Sequence, residues 1–315
     1  MIRGSYERPH REDGRQQDLA FTGPAKLGFV SGKANGKHIE AFADTGAIFN
    51  IASLDTIRSL DLRPKPVVGK HVTLANRRRA PLLGTVELRW KFDGESTSRT
   101  ITCGVLRECS HPLVLGASFL RLTETLTTFK HRIKKIFSGR FNSRRLAVNF
   151  FGPGDIQSCS LRGYLDGAAA TAIPDSGSEC CLMSAAYARK RGIEVDSSPG
   201  SRYELEFLDG SVAATSGIAK ATWEFASQGT SVRCEFLVLE GLAVDILFSN
   251  DFIERFDIFR EHQEAVVIEG VPLCSLVMSA FGVMLLRKLD APLGKLAEEA
   301  LKDRELHFLQ LKKLS

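Results

Sequence analysis

A repeat constrains this chain more than any other feature. Asn35–Ser53 (NGKHIEAFADTGAIFNIAS) lies over Asp166–Ser184 (DGAAATAIPDSGSECCLMS) without a gap across 19 residues, aligning a glycine, an acidic turn and a closing serine. The two stretches stay in step downstream. Gly84 follows Asp44 by 40 positions and Gly217 follows Asp175 by 42, and from Gly84 to Gly116 and from Gly217 to Ser249 the interval is 32 in both cases. There LVLGASFL (113–120) matches ILFSNDFI (246–253). Landmarks shared over this distance indicate duplication of a domain rather than coincidence of a short motif.

Within each copy, short apolar or alternating runs are bounded by Gly, Asn, Asp or Pro, the pattern of a β-rich domain. In the first copy the expected strands are His38–Phe42, Val67–Leu74, Leu83–Phe92 and Thr100–Leu106, with a short helix over Leu54–Leu60. In the second they are Ala168–Ile173, Tyr203–Phe207, Gly217–Phe225 and Val232–Leu239, with a helix over Ala185–Arg191. Gly84 and Gly217 are expected to close the second arm of a hairpin. Leu208-Asp209-Gly210 is a strong tight-turn sequence; its counterpart Ala75-Asn76-Arg77 keeps an Asn, which tolerates the left-handed conformation, but lacks the glycine.

Asp44-Thr45-Gly46-Ala47 follows the apolar strand end Ala41-Phe42-Ala43, and Asp175-Ser176-Gly177-Ser178 follows Ala172-Ile173-Pro174. Alone, such a turn is weak evidence, because Asp and Gly are ordinary turn formers. With a strand on either side, a hairpin some thirty residues on and then an apolar-apolar-Gly stretch leading to Phe119, the sequence resembles the retropepsin-like aspartic proteases of retroviruses and retrotransposons, twice, over residues 26–138 and 158–272. The resemblance implies an all-β fold of two tandem acid-protease β-barrels, pairing within one chain as a pseudo-dimer or between chains as a homodimer. It implies an endopeptidase that cleaves peptide or protein substrates without a cofactor or metal. Asp44 and Asp175 would form the catalytic dyad, sharing one proton because two adjacent carboxylates cannot both ionise. Thr45 and Ser176 would brace the loops, Gly46 and Gly177 would allow the tight turn, and Ala47 and Ser178 would complete the loops. Flaps around Ala75, Asn76 and Arg77 and around Leu208, Asp209 and Gly210 would close over an extended peptide.

Three departures qualify that pattern: Ser249 stands in place of the glycine represented by Gly116, Pro174 precedes the second Asp, and Arg77, Arg78 and Arg79 crowd the first flap. An alternative is a non-cleaving, retroelement-derived tandem that holds extended peptides; another is a fragment of a longer polyprotein whose basic linker contacts RNA. No HExxH, GxxxxGK[ST], GxSxG or paired CxxC supports metal, nucleotide or serine-hydrolase chemistry.

The remaining segments are read from composition. Residues 1–25 are expected to be a disordered lead-in without signal-peptide character, and 139–157 a basic, solvated linker. Lys130–Arg145 carries seven Lys and Arg and no acid, with a last strand of copy one near Ile133–Phe137. With a formal charge of only +5 and no recognisable binding fold, nucleic acid is not an expected partner. Residues 273–315 are read as an apolar segment and an amphipathic helix; the run from Val271 to Leu286, interrupted by Pro272, falls short of a membrane span. Seven cysteines without metal-ligand spacing suggest reduced thiols and an intracellular, cytoplasmic setting, with Cys180 and Cys181 as buried strand residues.

Overall fold

In the computed structural model, residues 16–21, 26–136, 145–148, 151–152, 159–226, 230–268 and 271–272 are described. In chain order, β1 (Gln16–Leu19) precedes a first half made of β2 (Leu27–Ala34), β3 (Lys37–Asp44), β4 (Asn50–Ser53), α1 (Leu54–Ser59), β5 (His71–Leu74), β6 (Arg79–Pro81), β7 (Gly84–Phe92), β8 (Arg99–Leu106), β9 (Leu113–Gly116), α2 (Ala117–Leu122) and β10 (Ile133–Ile136). Two short strands follow, β11 (Arg145–Val148) and β12 (Phe151–Gly152). The second half comprises β13 (Ser160–Leu165), β14 (Ala168–Pro174), β15 (Leu182–Ser184), α3 (Ala185–Arg191), β16 (Val195–Asp196), β17 (Glu204–Phe207), β18 (Val212–Ala214), β19 (Gly217–Phe225), β20 (Ser231–Leu239), β21 (Ile246–Phe248), α4 (Asn250–Arg255), α5 (Ile258–Glu261), β22 (Val266–Ile268) and β23 (Val271–Pro272).

Each half closes a six-stranded ring. In the first, β2, β3, β9, β4, β8 and β7 are neighbours in that order and β7 returns to β2; in the second, β13, β14, β21, β15, β20 and β19 do the same and β19 returns to β13. The fold is therefore all-β with two closed barrels, as the resemblance implied. Closure leaves no open edge within the ring, which is how a small sheet buries one face without exposing unpaired backbone.

The long strands show why these residues make barrels. Along β7, Gly84, Val86, Leu88, Trp90 and Phe92 point inward while the residues between them are more exposed, and β19 repeats the alternation with Gly217, Ala219, Ala221, Trp223 and Phe225. Trp90 and Trp223 are fully buried, each against a glycine. A Cβ on Gly32 would come within 2.4 Å of the Trp90 ring, and one on Gly163 within 2.5 Å of the Trp223 ring, so only glycine fits at either place. The closing serine of the repeat also has a structural reason. Ser53 and Ser184 are helix N-caps, accepting hydrogen bonds from Thr56 N and Tyr187 N and so satisfying an otherwise unpaired amide at the start of α1 and α3.

Four expectations change. The strand expected from Val67 begins only at His71, and Val68 is almost wholly exposed. Gly84 and Gly217 open the long strands β7 and β19 instead of closing hairpin arms. Within the span read as a disordered lead-in, β1 pairs in parallel with β20, Leu19 is buried, Phe21 N donates to Glu235 at 2.9 Å and the Phe21 ring packs edge-on to Tyr203. Within the span read as a solvated linker, Leu146 and Val148 are buried, because β11 and β12 lie along β17 and β5. Residues 1–15 and the proposed C-terminal helix lie outside the described residues. Among the described residues, no helix is long and apolar enough to cross a membrane, and Cys180 and Cys181 are buried free thiols at the entrance to β15.

Candidate active site

Both acidic turns are set at the ends of central barrel strands. β3 runs parallel to β9 with Asp44 opposite Gly116, and β14 runs parallel to β21 with Pro174 opposite Phe248. The loops that follow are tied down alike: Ala117 N donates to Ala47 O at 2.7 Å, and Asn250 N donates to Ser178 O at 3.0 Å. Each loop is thus fixed by its own barrel before it meets the other.

The loops meet through reciprocal hydrogen bonds. Thr45 N donates to Ser176 Oγ at 2.9 Å and Ser176 N donates to Thr45 Oγ1 at 2.8 Å, while the hydroxyls themselves donate to the carbonyls of Pro174 (2.8 Å) and Ala43 (3.1 Å). All four bonds cross between the halves and are buried, so each hydroxyl is both donor and acceptor and no loop amide in the pair is left unsatisfied. This arrangement explains why Pro174 is tolerated. What the brace needs from position 174 is a carbonyl, which proline keeps, and not the N–H that it lacks.

Within each loop the carboxyl is held by backbone amides. Asp44 Oδ1 accepts from Gly46 N at 2.8 Å and Ala47 N at 3.1 Å, and Asp175 Oδ1 accepts from Gly177 N at 2.8 Å. The Oδ2 atoms of both residues are buried without a backbone partner. Both side chains are fully buried. Burial and then the charge of Asp175 push the Asp44 carboxyl well above the usual carboxylate range, against the pull of the Gly46 and Ala47 amides. Burial also raises Asp175, to about 6, although hydrogen bonding from Asp44 and from the Gly177 and Gly46 amides pulls the other way. A pair in which one member stays protonated while the other ionises is the electrostatic outcome of two carboxyls in one dry site.

The glycines set that proximity. A Cβ on Gly46 would lie 2.4 Å from Asp175 Oδ1, and one on Gly177 would lie 2.8 Å from the Asp44 carboxyl carbon. Each glycine packs against the opposite carboxyl, which leaves no room for a methyl group. Gly46→Ala and Gly177→Ala are expected to destabilise the chain by about 1–3 kcal/mol each through overpacking, measured by urea unfolding, and to force the carboxyls apart.

The departure at Ser249 is compensated within the chain. In the first half Gly116 N donates to Asn50 Oδ1 at 3.0 Å, and a Cβ on Gly116 would lie 2.7 Å from the Phe49 backbone. The corresponding pair in the second half is Cys181 and Ser249. Ser249 N approaches Cys181 Sγ at 3.5 Å, the Ser249 hydroxyl lies 3.4 Å from the same sulfur, and that hydroxyl also accepts from Phe252 N at the start of α4. A smaller partner for a larger residue keeps the loop supported, and the doubt raised by Ser249 read in isolation falls away.

The hairpins β5–β6 and β17–β18 contain the residues expected to form the two flaps. Corresponding bonds define their tips: Arg77 N donates to Leu74 O at 2.9 Å and Gly210 N to Phe207 O at 2.8 Å. Arg77, not Asn76, takes the left-handed conformation, with φ of +62° where Gly210 has +76°. Each flap is latched to a loop of the other half, Ser110 N donating to Leu208 O at 2.9 Å and Ala243 N to Ala75 O at 2.8 Å. Arg77, Arg78 and Arg79 are exposed, and two of them reach the opposite half: Arg78 pairs with Asp209 at 3.5 Å and Arg77 Nε donates to Leu242 O at 3.3 Å, while Asn76 Nδ2 donates to Ser211 Oγ at 3.2 Å. Ser178 Oγ donates to the Cys180 carbonyl at 2.7 Å. One residue of this site that the sequence reading passed over is Glu179, whose buried carboxylate accepts from Ala147 N at 2.7 Å. An acid four positions beyond the turn Asp, where the first half has Ile48, was its only signal.

Residues 30–119 match the family model described as aspartyl protease. The match spans β3, the Asp44 loop, the first flap and β9. Among solved structures, the retroviral protease-like domain of Ddi1 from Leishmania major is similar at 18% identity and a TM-score of 0.24, over 30% of this chain and 71% of that one. No curated protein matches the chain. The Asp175 loop lies outside the matched residues, and its relation to the Asp44 loop rests on the hydrogen bonds given above. Among the described residues, no group of three or more His, Cys, Asp or Glu is placed to hold a metal ion.

Proposed function

We propose that this chain is an aspartyl endopeptidase whose single active site is assembled from both halves of one polypeptide, a tandem duplication acting as an intramolecular pseudo-dimer. The observation that carries the reading is the reciprocal Thr45–Ser176 brace, which joins two acidic loops whose glycines each press on the opposite carboxyl. In this chemistry the ionised carboxylate accepts a proton from water, and the oxygen attacks the peptide carbonyl carbon. The protonated carboxyl donates its hydrogen bond to the carbonyl oxygen as negative charge develops there. The proton taken from water is then passed to the departing amine, so the pair ends with the one proton it began with.

Burial favours the division of roles, since both carboxyls are raised and the pair retains one proton between them. The flaps, latched across the halves, would exclude water from the reaction, and their strands β5 and β17 offer backbone to an extended peptide. The test is cleavage of an unstructured protein substrate by the purified full chain across pH 4–7, with and without a statine-containing peptide that mimics the tetrahedral intermediate. Inhibitor-sensitive cleavage is expected. Cleavage insensitive to that inhibitor, or equal in a chain with both Asp44 and Asp175 replaced by Asn, overturns the reading.

A further inference from the structure

The described parts of the stretch between the two halves, 145–148 and 151–152, pair with the hairpins. β11 pairs in parallel with β17, placing Val148 opposite Phe207, and β12 pairs antiparallel with β5, placing Phe151 opposite Leu74. Leu74 and Phe207 are corresponding residues, each accepting the hydrogen bond that closes its flap tip. An extended chain that crosses two strands related by an approximate twofold axis must run parallel to one and antiparallel to the other, as this one does. Its two contacts, Val148 with Phe207 and Phe151 with Leu74, are with equivalent points on the two hairpins.

The floor holds the same segment. Val148 bridges Ser178, three residues past Asp175. Ala147 is held at both backbone groups by one residue, its N–H donating to the Glu179 carboxylate at 2.7 Å and its carbonyl accepting from Glu179 N at 3.0 Å. Leu146 and Val148 are 1% and 0% exposed, within the buried apolar cluster that also contains Ile173, Leu205, Phe207 and Leu247. Flap strand on one side, active-site loop on the other and apolar side chains enclosed between them describe how an extended peptide is held by backbone pairing and pockets.

We propose that β11 and β12, residues 145–148 and 151–152, are built-in occupants of the peptide channel, an autoinhibitory stretch that a separate peptide must displace. The proposal rests on the reading of this cleft as a peptide channel. Because the segment is tethered to both halves, it competes at an effective concentration that a free peptide meets only by mass action. The apparent affinity for a separate peptide is reduced by the fraction of chains in which the channel is open.

Two substitutions weaken the hold on this segment: Ala147→Pro removes the N–H given to Glu179, and Val148→Asp places a charge in the apolar cluster that encloses it. Binding of a fluorescein-labelled statine peptide to the full-length chain is measured by anisotropy. Both variants are expected to bind it about tenfold or more tightly than the unaltered chain, while each still unfolds in one cooperative transition. Equal affinity in all three chains overturns the proposal. Hydrogen exchange gives a readout that needs no ligand: the Ala147 amide is expected to be protected like a barrel strand amide in the unaltered chain, and exchange at the free-peptide rate overturns it. Self-cleavage between Val148 and Phe151, absent when Asp44 and Asp175 are both Asn, also supports occupancy. If the opened variants bind the statine peptide tightly yet cleave nothing, the occupant stands and the peptidase reading fails. If the unaltered chain cleaves and binds as well as its variants, the peptidase reading stands and the occupant fails.

Discussion

Asp44→Asn and Asp175→Asn, each made alone, are expected to lower inhibitor-sensitive peptide cleavage by at least about 10³-fold, the scale of losing a general acid or base. Asn preserves the shape of the side chain, and its carbonyl oxygen can still accept from the Gly46, Ala47 or Gly177 amides that hold Oδ1. What it removes is the ability to exchange a proton, and a single remaining carboxyl cannot be base and acid in the same step. The result also distinguishes two architectures. If like halves of separate molecules paired, Asp44→Asn would leave a complete site of two Asp175 loops and Asp175→Asn a complete site of two Asp44 loops, so both variants would stay active. Pairing within one chain predicts that neither is active, that mixing the two inactive chains restores nothing, and that specific activity does not change on dilution. Substantial activity in both single variants overturns the intramolecular site.

The residues that carry this site were legible in the sequence because the repeat supplies its own alignment. Asp44 and Asp175, the bracing Thr45 and Ser176 and the two glycines occupy matching positions, and the barrel strands alternate clearly enough that β3, β7, β8, β14, β17, β19 and β20 fall close to where the pattern places them. What was not legible depends on contacts between distant residues. The Asn50–Gly116 and Cys181–Ser249 pairs are 66 and 68 residues apart, so Ser249 read alone looked like damage when it is half of a coordinated exchange. The run Arg77-Arg78-Arg79 does not say where its side chains go; in the fold the charge of Arg78 is directed to Asp209 and the Arg77 side chain to the Leu242 carbonyl. The basic composition around 130–145 suggested solvated chain because charge dominates any window average. It concealed Leu146 and Val148, two apolar residues two apart that suffice for a buried strand once another strand is available to pair with it. Short strands such as β1 and β11 have little sequence signature of their own, and form because a partner edge is present.

A second large effect concerns stability. Replacing both Asp44 and Asp175 with Asn is expected to make the chain more stable than the unaltered protein at pH 7, by about 3 kcal/mol, with a clearly smaller difference at pH 4. The sign follows from the direction of the shifts. Burial raises Asp175 from its ordinary 3.8 to about 6, and raises Asp44 well above its ordinary value, with the Asp175 charge adding to the burial. Between pH 4 and 6 the folded chain therefore holds more protons than the unfolded chain, so the free energy of unfolding falls as pH rises across that window. It levels off only when the folded pair has lost what it will lose. Well below the ordinary value of 3.8 both states are protonated and the pair costs little. The Asn variant has no such proton to lose and keeps its stability through the window. Carboxyls elsewhere act in the opposite sense: hydrogen bonds from Ser201 hold Asp196 below its ordinary range and those from Arg189 do the same for Glu240. They are common to both chains and cancel in the difference. Urea unfolding of the two proteins at pH 4 and pH 7 reads the effect directly. A gap that opens toward neutral pH is the signature of a destabilised acidic pair retained at the centre of the molecule, where folding alone would favour its removal. A gap of the same size at both pH values would mean that the two carboxyls do not carry raised pKa values in the folded chain, and with that the electrostatic basis for sharing one proton would be lost.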